Sequence, residues 1–387
     1  MKLPKLTFWK ALFIIILAFG AAAAFVRFFK GLGAATNLSD EMPWGLWVGF
    51  DCLGGIMLTA GGFMLMATVH IFNLEKFRSI ARPALLTAFL GYLLEAGAVF
   101  FDLGRPYRIW HPLVMWNPRS PMFIVGWCVV LYTGIMALEF APTVFERLRL
   151  EKPLRILRLV QTPLVILGVT VAVIHQTALG TFYVLVPGKL YPLWYSPMLP
   201  VLFFISAIAA GIAMTLFESG MSSRHFNHAL EKPVVDALGR ALFIGVIVYA
   251  VLRVQDLIRL DAWPYAFQWT NEARLFWLEI AMAFVVPIAL LSFKAVRENP
   301  QRLYVVSIVT VLGFVTNRLN VAVTGMERWA GVTYIPKWSE VAVTLMMIAF
   351  GITFFALAVK YLPIFTPEHE VSKRPLVRDE VVPVAAR

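Results

Sequence analysis

The chain has 387 residues, of which 60% are hydrophobic and only 15% charged, against about 25% charged in an ordinary soluble domain. A mean hydropathy of +0.75 excludes a water-soluble fold, which would have to expose large apolar patches; the solvent of this chain is lipid. The formal net charge of +11 sits in short loops between apolar runs, a distribution set by membrane topology that calls for no nucleic-acid partner.

A helix needs about 20 apolar residues to cross the hydrocarbon core. Ten stretches qualify, at roughly 8–28, 46–71, 83–101, 121–141, 160–186, 197–218, 237–254, 274–294, 303–323 and 339–361. The first follows Lys2, Lys5 and Lys10 and ends in Ala21 to Ala24, as a cleavable signal peptide would. Its length and the polytopic chain behind it favour retention as a membrane helix. The second is small-sided, with Gly45, Gly49, Gly54, Gly55, Gly61 and Gly62; such a helix lets neighbouring backbones approach or leaves room for a flat ligand. Cys52 lies in the second stretch and Cys128 in the fourth, and no CxxC exists, which argues against a thiolate metal site or Fe–S cluster in this chain. Trp44, Trp47, Trp110 and Trp116 fall at one expected interface, as an aromatic belt does. The segment after Leu362 is charged and contains proline, and reads as a cytoplasmic tail.

An internal repeat is visible at helix ends. Leu74-Glu75-Lys76 follows the second stretch and Leu230-Glu231-Lys232 the sixth; Asp102-Leu103-Gly104-Arg105 follows the third and Asp256-Leu257-Ile258-Arg259 the seventh. An interval of four helices keeps both copies in one orientation. The fold expected is all-α: residues 1–45 give the first helix and outer loop, 46–186 and 187–323 two parallel four-helix bundles, and 324–387 the last helix and tail. With the N-terminus inside, inner segments carry 22 of the 34 Lys and Arg and outer segments 12. That bias places both termini in the cytoplasm.

A charge near the bilayer centre costs at least about 2.5–3.5 kcal/mol, so intramembrane polar residues are functional candidates. Toward the outer face lie Asp51, Glu95, Asp102, His175, Arg253, Asp256, Glu279, Asn317 and Arg318. Four of these (Arg253, Asp256, Glu279 and Arg318) read equally well as interhelical ties near the interface. Glu95 and His175 are flanked by apolar residues on both sides, and a buried carboxyl and imidazole are the pair able to exchange protons near neutral pH. Toward the inner half lie His70, Glu139 and Glu218, the two carboxylates each expected within about a turn of a helix end, with Tyr92 able to bridge the groups through its hydroxyl. Haem is disfavoured by depth: only His70 and His175 lie in membrane stretches, one near each face, and bis-imidazole ligation needs both at one level.

The chain resembles the NrfD/PsrC family of polysulfide-reductase-type membrane subunits, in the ten-helix branch typified by the membrane subunit of an uptake nickel–iron hydrogenase. The stretches that carry the resemblance are Pro43-Trp44-Gly45-Leu46-Trp47 with Phe50-Asp51, Arg82-Pro83-Ala84-Leu85-Leu86 with Gly91-Tyr92, Asp102-Leu103-Gly104-Arg105-Pro106, and Leu138-Glu139-Phe140-Ala141-Pro142. His175-Gln176, Pro192-Leu193-Trp194, Phe217-Glu218 and Phe276-Trp277 with Glu279 extend it across residues 8–365. The resemblance implies a haem-free, quinone-reactive subunit that exchanges electrons with a periplasmic ferredoxin-like Fe–S subunit, in complexes built on a hydrogenase, a multihaem cytochrome or other redox subunits. It implies Glu95, His175 and Asp102 as reactive residues, Asp51, Trp47, Arg105 and Gln176 around a menaquinone or ubiquinone, and Tyr92, Glu139 and Glu218 as a proton path. Two rival readings are a secondary transporter, which predicts broken helices at equivalent repeat positions, and a passive anchor, which leaves Glu95 and His175 without a reason to be buried.

Overall fold

Ten helices are long and apolar enough to cross a membrane: α1 (Phe8–Lys30), α2 (Trp47–His70), α3 (Glu75–Asp102), α4 (Pro121–Leu148), α5 (Glu151–Val184), α6 (Leu199–His225), α7 (Lys232–Arg259), α8 (Asn271–Ser292), α9 (Pro300–Ala330) and α10 (Trp338–Tyr361). This computed structural model describes residues 7–226 and 231–365. Leu230, part of one repeat match, and the tail beyond residue 365 lie outside the described residues. No strand occurs among the described residues.

Several helices outrun their apolar stretches, because a backbone in lipid must satisfy its polar groups internally. The fourth was expected to stop at residue 141; α4 carries Pro142 and continues to Leu148. This corrects the depth of Glu139, which lies nine residues before the helix end, roughly 13 Å along the axis, well beyond a single turn. Glu218 is likewise deeper than expected, since its helix continues past it to Phe226. The ninth helix runs to Ala330 in place of residue 323.

Helices α2 to α5 pack in a ring, and α6 to α9 pack in a second ring. The rings meet where α2 and α5 lie against α6 and where α2 touches α9, while α1 and α10 pair with each other beside α3. Burial follows from this arrangement: 78% of the apolar window of α2 is inside the protein, against 17% for α1. Glycine permits the tightest join. A Cβ on Gly61 of α2 would come 2.7 Å from the Gly211 carbonyl oxygen of α6, and one on Gly211 would come 2.4 Å from the Gly61 nitrogen. Gly62 meets Ala88 of α3 in the same way, whereas Gly55 faces open space. The glycines of α2 therefore serve both packing and space, at different positions.

Three helices contain π segments, at Trp47–Gly54 in α2, Ala281–Val285 in α8 and Asn320–Thr324 in α9. Their repeat counterparts α6, α4 and α5 have none among the described residues, so the paired interruptions that a transporter predicts are absent there. The four longest connections (31–46, 103–120, 185–198 and 260–270), including the aromatic-rich ones, lie with the α9–α10 connection on one face (the long-loop face). The opposite face is tied by Arg82, which donates to Glu146 at 3.0 Å and to the Pro363 carbonyl at 3.2 Å, and by Arg158, which donates to Glu146 at 3.0 Å.

Candidate functional site

Inside the first bundle, α3 and α5 place a buried polar cluster. His175 and Glu95 are 0% and 2% exposed, with Nε2 of the imidazole 3.7 Å from a Glu95 carboxylate oxygen. The other ring nitrogen, Nδ1, lies 3.2 Å from the Tyr92 hydroxyl. Tyr92 and Glu95 are three apart on α3, so they share a helix face, and the imidazole lies against that face. Gln176, next along α5, donates from Nε2 to the Ile56 carbonyl of α2 at 3.1 Å. Native interiors pair nearly all their buried polar atoms. Here Glu95 Oε2, His175 Nε2, Gln176 Oε1 and the Tyr132 hydroxyl have no hydrogen-bond partner among the described residues. A 3.7 Å separation is too long for a hydrogen bond and is the span that a bridging oxygen closes.

From this cluster a polar lane runs down α4. The rings of Tyr92 and Tyr132 meet edge to face at 4.5 Å. Tyr132 is a residue that the sequence reading missed; its only signal is its position seven residues before Glu139, two turns up the same face. Gly168 of α5 leaves the gap in which they converge: a Cβ there would sit 3.0 Å from Glu139 Oε1 and 3.6 Å from the Tyr132 ring. Glu139 is itself buried. Glu218 belongs elsewhere, on α6 facing Thr87 of α3, with Oε1 unpartnered among the described residues. His70 faces Gln161 of α5 at 3.2 Å.

The remaining expected site residues turn toward α1 and α10. Asp51 accepts from the Thr344 hydroxyl of α10 at 2.6 Å, and Trp47 donates from Nε1 to the Glu340 carbonyl at 3.1 Å. Asp102, the last residue of α3, lies within electrostatic reach of Arg27 of α1, which itself donates to the Phe101 and Leu103 carbonyls. Asp102 Oδ1 has no partner among the described residues. Arg105 is exposed on the following loop. The N-terminus of α10 is clamped to the loop before α2: Glu340 accepts from the Asn37 amide at 3.0 Å and from the Tyr334 hydroxyl, which in turn accepts from the Leu46 amide. Burial and the Glu340 carboxylate hold the Tyr334 phenol above its ordinary range, so it remains a donor. Asp51, Glu95 and Asp102 all act electrostatically on the buried Cys52, which places the two groups side by side across α2.

The second bundle holds a separate network, built around a loop that folds inward. Tyr191, Leu193, Trp194 and Ser196 are all buried. Trp194 donates from Nε1 to Glu279 at 2.8 Å, Ser196 donates to Asp256 at 2.8 Å, and the Leu193 carbonyl accepts from Arg253. Glu279 also accepts from the Asn317 side chain at 2.7 Å and from Asn320 at 2.8 Å. Arg318 donates to Asn317 Oδ1 at 2.9 Å, to Ser206 at 2.8 Å and to the Phe203 carbonyl at 3.0 Å. Arg253, Asp256, Glu279, Asn317 and Arg318 thus form one buried network distinct from the Glu95–His175 cluster.

Ten helices long and apolar enough to cross a membrane, eight of them in two rings and one ring holding a buried, incompletely bonded polar cluster, define a polytopic membrane protein with a candidate site among its helices. The chain belongs to the NrfD family: the family model described as "Polysulphide reductase, NrfD" matches residues 34–330. Over 364 residues it is 35% identical to a protein of Nitratidesulfovibrio vulgaris, covering 90% of this chain and 92% of that one. It is 30% identical over 359 residues to the Escherichia coli "Probable Ni/Fe-hydrogenase 2 b-type cytochrome subunit", covering 90% of this chain and 91% of the relative. A "Menaquinone reductase, integral membrane subunit" of N. vulgaris is 26% identical over 407 residues, covering 96% of this chain and 95% of its own.

Proposed function

We propose that this chain is the quinone-reactive membrane subunit of a respiratory redox complex in the bacterial inner membrane. The observation that carries the reading is the set of unpartnered polar atoms on Glu95, His175 and Gln176 inside the first bundle. A ligand with two carbonyl oxygens fits such a set, since each oxygen can take a proton or a hydrogen bond there. The names of two relatives, a menaquinone reductase subunit and a hydrogenase subunit, support the class.

A bound quinone supplies two-electron, two-proton redox chemistry, and this chain's residues manage the protons. With the Tyr92 phenol donating to Nδ1, His175 carries its proton on Nε2 and presents it toward Glu95. Glu95 and His175 then form a proton-holding pair at the ligand, and Gln176, anchored on Ile56, offers its free oxygen as an orienting acceptor. Tyr132 and Glu139 continue the lane toward the terminal face, which makes them the route for proton movement. Asp51, Asp102, Trp47 and Arg105 lie at the α1–α10 side and form the approach to the pocket. Glu218 stands apart from the lane and enters the proton path only through the bundle interface.

The Lys and Arg bias puts the long-loop face in the periplasm, where a ferredoxin-like Fe–S subunit would dock and deliver or receive electrons. In this reading the subunit carries no haem, because His70 faces Gln161, fourteen residues along α5 from His175, roughly 21 Å, and two imidazoles so far apart would not share one haem.

The test uses the purified complex in liposomes, with Glu95→Gln and His175→Ala variants. Both are expected to assemble and to lose quinone-linked turnover by about 10²-fold or more, as loss of a proton donor does. Assembled variants that keep full turnover would refute the site assignment. Unchanged membrane potential during turnover in sealed vesicles would remove the proton lane while sparing the quinone site.

A further inference from the structure

The hairpin between α4 and α5 projects past the end of α10. Arg82 donates both to the Pro363 carbonyl, two residues beyond α10, and to Glu146 of α4, which also accepts from Arg158 of α5. The end of α10 and the Glu146–Arg158 pair therefore lie at about one level. Seven residues of α5, Glu151 to Leu157, stand beyond that level, roughly 10 Å of helix, which is enough to pass through a headgroup layer. The length of α5 agrees: its 34 residues make about 51 Å of helix against a hydrocarbon core of about 30 Å.

Charge and hydropathy are segregated on this tip. Arg147, Arg149, Lys152 and Arg155 are all exposed, and none of the four has a side-chain hydrogen bond or ion pair among the described residues. Four cations thus stand against one carboxylate, Glu151, between residues 147 and 155. At 3.6 residues per turn, Lys152 and Arg155 share a helix face with Ile156, Leu159, Ile166 and Leu167, which are 62%, 78%, 50% and 51% exposed. Arg158 turns off that face to Glu146. The face is therefore basic for its first turn and apolar for the next three.

That order of chemistry selects the occupant. A soluble anion would engage the basic turn and leave the apolar stripe bare, and a zwitterionic lipid would bring a cation of its own to a place already short of carboxylates. A molecule with net negative phosphate at one end and an acyl chain at the other matches both parts. We infer that an anionic phospholipid binds along this face of α5, its phosphate held by Lys152 and Arg155 with Arg147 and Arg149 alongside, and its chain lying on Ile156, Leu159 and Ile166. The site is independent of the quinone reading, since it shares no residue with the Glu95–His175 cluster.

The experiment uses the full chain, washed free of lipid in neutral detergent and followed by native mass spectrometry and thermal melts. Phosphatidylglycerol should bind and raise Tm along a saturable curve, and phosphatidylcholine should not. Lys152→Gln/Arg155→Gln should weaken that binding about 30-fold, as loss of two basic residues at a headgroup does. An equal loss of charge on the long-loop face, Arg108→Gln/Arg119→Gln, should leave it unchanged. If the first pair fails to assemble, Leu159→Ser keeps every charge and should still weaken the phosphatidylglycerol shift. Equal shifts with the two lipids, equal weakening by the two charge pairs, or the same Tm rise from inorganic phosphate alone would overturn the inference. So would a native complex in which Lys152→Gln/Arg155→Gln keeps its lipid and sheds a protein subunit.

Discussion

Glu279→Gln is the most informative single change in the second bundle, because it removes one charge at constant volume. In the native network both carboxylate oxygens only accept: Oε2 from Trp194 and Asn320, Oε1 from Asn317. A glutamine keeps one acceptor and turns the other position into a donor. If its oxygen faces Trp194 and Asn320, its NH₂ confronts the Asn317 NH₂; flipping Asn317 would relieve that clash and break its bond from Arg318. One charge-assisted bond is lost, worth about 1.5–3 kcal/mol, and one buried donor is left unpaired at about 1–3 kcal/mol. The expected cost is roughly 3–5 kcal/mol, read as a lowered unfolding midpoint in detergent. The double variant Glu279→Gln/Asn317→Asp restores the pattern. Its glutamine NH₂ donates to the new carboxylate, whose other oxygen accepts directly from Arg318, so a coupling energy above about 1.5 kcal/mol is expected. A double variant no more stable than Glu279→Gln alone would show that the directed bonding described for Asn317 is wrong.

Tyr132→Phe removes a buried hydroxyl with no hydrogen-bond partner among the described residues, so stability should hold or rise by up to about 1 kcal/mol while quinone-linked turnover slows; equal turnover would take Tyr132 out of the proton lane. Gly211→Ala drives a Cβ into the backbone of α2 near Gly61 and Ala60, where overpacking costs about 1–3 kcal/mol. It should lower the unfolding midpoint of the whole chain, and an unchanged midpoint would mean that the bundles do not meet there.

The ten helices were legible in the residues, because hydropathy in lipid leaves few alternatives, and Glu95 and His175 stood out as polar residues flanked by apolar ones, though not as a pair in contact. Facing was harder to read. Asp51 lies in the π segment of α2, whose wider turn shifts the 3.6-residue register, and it turns to Thr344 in place of the imidazole. Glu139 looked shallow because the fourth apolar stretch was bounded at residue 141, although a helix in lipid continues past Pro142, which removes only one ladder bond. The inward loop was not foreseen: Leu193 and Trp194 entered only through the resemblance, and the burial of Leu193, Trp194 and Ser196 is set by partners far along the chain.

Those partners give the inward loop a chronology. Leu193 and Ser196 bond with residues 60 positions later, and Trp194 with one 85 positions later, while the Tyr191 amide waits for the Gly325 carbonyl at the end of α9. During synthesis at about 5–20 residues per second, that wait is on the order of ten seconds. Through this interval the segment is only partly seated, since Leu193 and Ser196 meet their partners in α7 before Trp194 and Tyr191 meet theirs in α8 and α9. Seating it is therefore among the last events of biogenesis, and it closes the second bundle only when the ninth helix has left the insertion machinery. Completion of the long-loop face then coincides with completion of the ninth helix.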